Sequence, residues 1–170
     1  MASKSRPKEL RDCLSNSCDP TLTALRCLSY FLSPKLKKKA SKESQYSVVP
    51  YILMEAPRGT LPNEVIDKTN NFPYILRLFD AEDEIDPQYF VAVEQQILFE
   101  CKDVINALFH LISTYYVFNM SYHGRVQDIL YFIQEKVLDI KDSTTKKSSM
   151  YLSVTLAIEC YDQQDVNDSN

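Results

Sequence analysis

The segment PYILRLFDAEDEIDPQYFVAVEQQILFE, residues 73–100, followed by DVINALFHLISTYYVFNMSYHGRVQDILYFIQEKVLDI, residues 103–140, decides the fold. Tyr74 to Phe79 is an apolar run rich in β-formers, and Pro73 before it lacks an N–H, which suits a strand's first position. Tyr89 to Val93 and Ile97 to Glu100 read as two further short strands. The polar Glu94, Gln95 and Gln96 between them suit a tight hairpin, with the turn type left open because no glycine marks it. Asp80, Glu82, Asp83, Glu84 and Asp86 crowd together ahead of Pro87. Mutual repulsion and solvation place residues 80–88 in an acidic surface loop.

From Asp103 the period of the apolar positions lengthens. Val104, Leu108, Leu111, Ile112 and Tyr115 follow the i, i+3, i+4, i+7 rule of a helix face. Ile105, Phe109 and Tyr116 widen that face until only Asn106, Ser113 and Thr114 look wet, which predicts a helix buried on most sides. After a break at residues 119–124, Val126, Ile129, Leu130, Ile133 and Val137 form a second stripe opposite Gln127, Asp128, Gln134 and Glu135. That helix is amphipathic and covers one face. The class is α+β, with a small antiparallel sheet of three or four strands packed against two to four helices.

Working outward, residues 1–18 are polar and basic and read as a mobile start. Asp19 and Pro20 are an N-cap and a first-turn proline, and Leu22, Leu25, Leu28 and Leu32 make a short helix that stops before Pro34. Residues 35–45 form a Lys-rich loop. VVPYILMEAP has strand composition interrupted by Pro50 and suits an edge strand, while LPNEVIDKTNNFP reads as a connector. Residues 141–150 are a polar loop, Tyr151 to Ile158 suit a closing helix, and residues 161–170 read as a disordered tail. Residues 19–160 therefore make one domain.

With 45% apolar and 25% charged residues over 170 positions, the chain has the composition of a soluble globular domain. Its apolar runs break well before the roughly 20 residues needed to span a bilayer. The N-terminus lacks the apolar block of a secretory signal, so an intracellular place, nucleus or cytoplasm, is expected. Residues 1–45 hold ten Lys or Arg against four Asp or Glu, and the remainder holds nine against nineteen. A basic arm thus precedes an acidic body.

The chemistry-bearing residues are sparse. Five cysteines in no regular framework read as reduced thiols. Cys13, Cys18 and Cys27 lack the close pairing of a zinc site, and the acidic loop lacks the glycine and distal Glu of a calcium loop. Neither His110 nor His123 carries a nucleophile signature around Cys101, Ser121 or any other serine, so no catalytic residue is assigned. Two glycines, Gly59 and Gly124, are too few for a phosphate loop or dinucleotide fingerprint. No metal and no cofactor is assigned. Lys35, Lys37, Lys38, Lys39 and Lys42 are the candidate contacts to nucleic-acid phosphates.

The order ALRCLSYFLSP, a strand pair with an acidic loop, then LFHLISTYYVFNMSYHGRVQDILYFIQEKVLDI resembles the C-terminal module of a group of animal proteins, mostly from fish. These are described as sterile-alpha-motif-containing or as relics of mobile elements. Their motif Tyr-x-x-Asn-x-x-Tyr-Pro, followed by a helix with Phe-Ile-Gln, is matched by Tyr116, Asn119, Tyr122, Phe132, Ile133 and Gln134. His123 stands where that group has proline. The resemblance spans about residues 20–140 and implies a small α+β module with no catalytic residues to carry over. The expected function is a non-enzymatic intracellular module that binds an unidentified protein, possible as a fragment of a mobile-element-derived chain. Weak nucleic-acid binding through the basic arm is the alternative, and an enzyme of unrecognised type is the third reading. The oligomeric state is left open.

Overall fold

The computed structural model describes residues 19–32, 51–80, 87–143 and 145–167, with side chains as far as residue 160. The expectations for residues 1–18, for the lysines of residues 35–45 and for the acidic residues 81–86 lie outside the described residues.

Helix α1 (Pro20–Leu32) starts where Asp19 Oδ1 accepts the backbone N–H groups of Thr21 and Leu22, at 2.8 and 3.2 Å. Strand β1 (Leu53–Pro57) follows, then a one-turn helix α2 (Pro62–Val65) within the stretch read as a connector. Strands β2 (Tyr74–Phe79), β3 (Gln88–Val93) and β4 (Gln96–Cys101) complete a four-stranded sheet in the order β1-β2-β3-β4. The α+β class stands, but the sheet is mixed rather than wholly antiparallel: β1 pairs with β2 in parallel, Leu53 opposite Ile75 and Glu55 opposite Arg77. The reason is the connection. Residues 58–73 carry the chain past the strands, which is what a parallel pair requires and a tight hairpin cannot supply.

The β3–β4 hairpin closes on Val93 and Gln96. Glu94 and Gln95 between them both take left-handed backbone, φ 47° and 68°. This is a type I′ turn, whose twist matches that of the flanking strands, built without the usual glycine. Adjacent Val91 and Ala92 face Phe99 and Ile97, so Leu98 is the extra residue of a bulge in β4, the outermost strand on that side.

Among the described residues there are five helical segments, one more than the sequence suggested, because α2 adds a turn. Helix α3 (Val104–Val117) is capped by Asp103, whose side chain accepts from Asn106 N at 2.8 Å. It ends at Asn119, φ 51°, with Asn119 N bonded to Tyr116 O and Met120 N to Tyr115 O at 3.1 and 2.8 Å. Both bonds of the Schellman closure are present. Helix α4 (Gln127–Phe132) runs into a π-helical turn over Ile133–Val137, in which Leu138 N reaches Ile133 O at 3.0 Å. Helix α5 (Ser149–Asn167) begins inside the stretch read as a polar loop and continues into the tail read as disordered. Tyr151 anchors its first turn in the core, and propagation from an anchored turn is favourable where nucleation is not.

Helices α1, α3, α4 and α5 cover one face of the sheet, around Leu22, Leu25, Ile75, Val91, Leu111 and Ile129. A second cluster of Tyr74, Leu76, Leu78, Phe90 and Ala92 lies on the other face, joined by Val65 and Ile97. Strand β2 is thus buried on both sides, which is why it reads as a continuous apolar run rather than as alternation. Among the described residues, no helix is long and apolar enough to cross a membrane.

Candidate functional site

Of the six residues of the Tyr-Asn-Tyr and Phe-Ile-Gln motif, Tyr116, Asn119, Tyr122 and Gln134 line one cleft, and Phe132 and Ile133 do not. A cleft of about 210 Å³ is lined by Tyr116, Asn119, Tyr122, Tyr131, Gln134 and Asp142 among others. Tyr122 packs edge-to-face on both Tyr115 and Tyr131, at centroid distances of 4.8 and 5.0 Å. Its hydroxyl donates to Gln134 Oε1 at 2.7 Å, and Gln134 Nε2 donates to Ile140 O at 3.1 Å. Gln134 is 1% exposed, so these bonds satisfy an amide that water does not reach. Burial pushes the Tyr115 and Tyr122 phenols well up, which keeps them protonated donors. The cleft therefore ties the end of α3 to the π turn. It offers no base.

Beside it, Glu135 accepts from Tyr151 Oη at 2.6 Å and pairs with Lys147 at 2.7 Å. Burial pulls the Glu135 carboxyl up, but the ammonium of Lys147 and the Tyr151 hydroxyl outweigh it, and the group sits below its ordinary value. Lys147 also lies over the Tyr131 ring, 3.8 Å from its centroid. On the helix-covered face of the sheet, Glu55 Oε1 meets Arg77 at 2.8 Å and Arg26 at 2.9 Å. Arg77 is 2% exposed and stacks on Phe79 at 4.4 Å. One carboxylate between two guanidiniums links α1, β1 and β2.

The histidines serve packing. His110 stacks on Phe99 at 4.8 Å, and His123 stacks on Tyr51 at 5.4 Å and meets Phe72 edge-on at 4.7 Å. His123 Nδ1 accepts from Arg125 N at 3.3 Å. Their observed partners are rings and a backbone N–H, not Cys101 or Ser121. Burial, and then the neighbouring Asp103 and Glu100 carboxylates, push the Cys101 thiol up, which makes it a poor nucleophile. Among the described residues, no group of three or more His, Cys, Asp or Glu is placed to hold a metal ion. Lys35, Lys37, Lys38, Lys39 and Lys42, the phosphate-contact candidates, lie outside the described residues.

The surface feature that sequence reasoning missed is on α3. Its 14 residues include no Asp, Glu, Lys or Arg, and its inner side packs Val104, Leu108, Leu111 and Tyr115 against the sheet. Its outer side was expected to be covered too. Instead Ile105 is 56% exposed, Phe109 48%, Tyr116 56% and Val117 78%. Ile105, Phe109, Ser113 and Val117 fall four residues apart and form one ridge along the helix. Phe109 meets His110 edge-on at 5.8 Å, which in turn stacks on the 42%-exposed Phe99 of β4. Around the end of α3, Phe118, Met120, Val93 and Leu98 line a groove of about 270 Å³ shared with the hairpin. The signal was present in the sequence: a helix apolar on all sides needs cover on all sides, and one sheet supplies one side.

No protein-family model, no curated protein and no solved structure matches this chain.

Proposed function

We propose that this chain is a non-enzymatic protein-interaction module that docks an apolar protein surface on the outer ridge of α3. The observation that carries this reading is the uncharged helix whose Ile105, Phe109, Tyr116 and Val117 stand in solvent. Contiguous aromatic and aliphatic exposure of this kind, with charge excluded from its centre, is the composition of an interface core. The bulge at Leu98 in β4 opposes simple strand addition at that edge, so the helix ridge is the favoured contact. The cleft supports the non-enzymatic side, since its Tyr122 and Gln134 polar groups are engaged with each other and with backbone. The resemblance of residues 20–140 to modules without catalytic residues agrees with an interaction role.

The test is site-specific photocrosslinking in cells, with a photoreactive phenylalanine at position 109 or, as control, at Glu64 on α2. A discrete adduct, identified by mass spectrometry, from position 109 and none from position 64 is the expected result. Equal, diffuse labelling from both positions overturns the reading.

A further inference from the structure

Resting on that reading, we infer that the tyrosine-lined cleft at the end of α3 takes the trimethylammonium head of a trimethylated lysine side chain, presented by the protein that docks on the ridge. The cleft is continuous with the proposed interface. Tyr116, which lines it, stands 56% exposed on α3, and Met120 lines both the cleft and the groove at the hairpin. At about 210 Å³ the cleft falls short of the roughly 300 Å³ at which pockets for whole small-molecule ligands begin. It suits one side chain rather than a cofactor.

The walls select the charge. Tyr115, Tyr116, Tyr122 and Tyr131 line the cleft together with the Asp142 carboxylate, and among the described residues no Lys, Arg or His lines it. Aromatic faces are negative and a carboxylate adds a full charge, so a cation is favoured there and an anion opposed. The same balance acts on Tyr122: burial first, then the phenols of Tyr116, Tyr131 and Tyr115, then Asp142, push its hydroxyl up and oppose a phenolate. This aromatic cluster already holds one ammonium of the chain itself, since Lys147 Nζ lies 3.8 Å from the Tyr131 centroid and 5.7 Å from that of Tyr151.

The hydrogen bonds select methylation. A primary ammonium brings three N–H donors and a tightly held water shell, and it needs acceptors in exchange. Lys147 meets that need with the Glu135 carboxylate at 2.7 Å, which does not line the cleft. Within the cleft, Gln134 Oε1 accepts from Tyr122, and the Asp142 oxygens accept from Thr145 N and Oγ1 at 3.3 and 2.6 Å. A trimethylammonium has no N–H to satisfy. Ring surface and a nearby negative charge are what it requires, and the cleft supplies both.

The experiment is a titration of the full chain with N-acetyl-trimethyllysine amide, followed by the NMR shifts of the tyrosine ring protons. Two controls accompany it: the unmethylated lysine amide, and the analogue with a neutral tert-butyl group in place of the trimethylammonium. The expected result is saturable binding of the trimethylated probe, with both controls weaker by roughly tenfold or more. Tyr116→Ala, at an exposed position that leaves the fold intact, should weaken binding about fivefold or more, and Tyr116→Phe should keep it. Asp142→Asn should weaken the cationic probe and leave the neutral analogue unchanged. Circular dichroism on each variant checks that the helix content is kept. Equal binding of the neutral analogue overturns the inference, as does binding indifferent to Tyr116→Ala and Asp142→Asn, or no saturable binding at all. Binding to phosphatidylcholine vesicles without binding to the lysine probe also overturns it, in favour of a lipid headgroup. If the probe fails while position 109 crosslinks one discrete protein, the interaction reading stands and only this inference falls. If the probe binds while positions 109 and 64 label equally and diffusely, the ridge reading falls and the cleft keeps its ligand.

Discussion

The Tyr122 hydroxyl donates to Gln134 Oε1 at 2.7 Å, joining the loop after α3 to the first turn of the π-helical segment. Removing either group leaves the other unpaired in a site that water does not reach. Tyr122→Phe and Gln134→Leu should each destabilise the chain by about 1–3 kcal/mol. The double variant should be less destabilised than the sum, because the Tyr122–Gln134 bond is lost only once, while the Ile140 carbonyl loses Gln134 Nε2 equally in the single and double Gln134 variants. A double-mutant cycle from urea melts measures that coupling, and strict additivity contradicts it.

Glu94 and Gln95 hold a type I′ turn at φ 47° and 68°, a conformation that costs side-chain-bearing residues energy. Gln95→Gly removes that strain and should stabilise the chain by about 0.4–1 kcal/mol. A raised denaturation midpoint with an unchanged slope is the readout. A destabilised variant would show that the Gln95 side chain outweighs its backbone.

The Arg77 guanidinium depends on Glu55. Glu55→Ala leaves that cation, 2% exposed, without this carboxylate, and should destabilise by roughly 2–3 kcal/mol, less than for a fully buried pair because Glu55 is partly solvated. Glu55→Ala together with Arg77→Leu should recover part of the loss. Thermal melts of the two variants decide it.

Glu135 titrates lower in the folded chain than its ordinary 4.5. A depressed carboxyl contributes stability that is fully present above its unfolded value and disappears as pH falls through the folded value. Acidification below about pH 4.5 should therefore weaken the chain more than Glu135→Gln, which has no such titration. Parallel acid titrations of both proteins that coincide would remove Glu135 from the account.

Much of this was legible in the sequence. Asp19 and Pro20 announced α1, the strand runs 74–79 and 89–93 lie within one residue of their observed bounds, and the change of period marked α3 at Asp103. The parallel pairing of β1 was not legible, since register across residues 58–73 depends on how the whole crossover packs. For the same reason Arg77 hid inside an apolar run: its partner Glu55 becomes a neighbour only through that register. The turn type was hidden because Glu94 and Gln95 adopt a glycine's conformation. The wide turn at Ile133 rotates the faces that follow it, so Gln134, read on the polar side, is 1% exposed, and Val137, read into the apolar stripe, is 56% exposed. The ridge of α3 was misread for a different reason. Periodicity gives the direction of every side chain but not the number of layers available to cover them.

The central claim is that the outer ridge of α3 contributes to binding and not to the fold, and the most direct measurement is a pair of denaturant melts on dilute protein. Leu111, fully buried, should lose about 2–5 kcal/mol on replacement by Ala, as a core truncation does. Phe109→Ser, one position off the core on the same helix, should stay within about 0.5 kcal/mol of the unaltered chain or exceed it. A loss at Phe109 as large as that at Leu111 would contradict the account, because it would mean the fold itself buries the ridge.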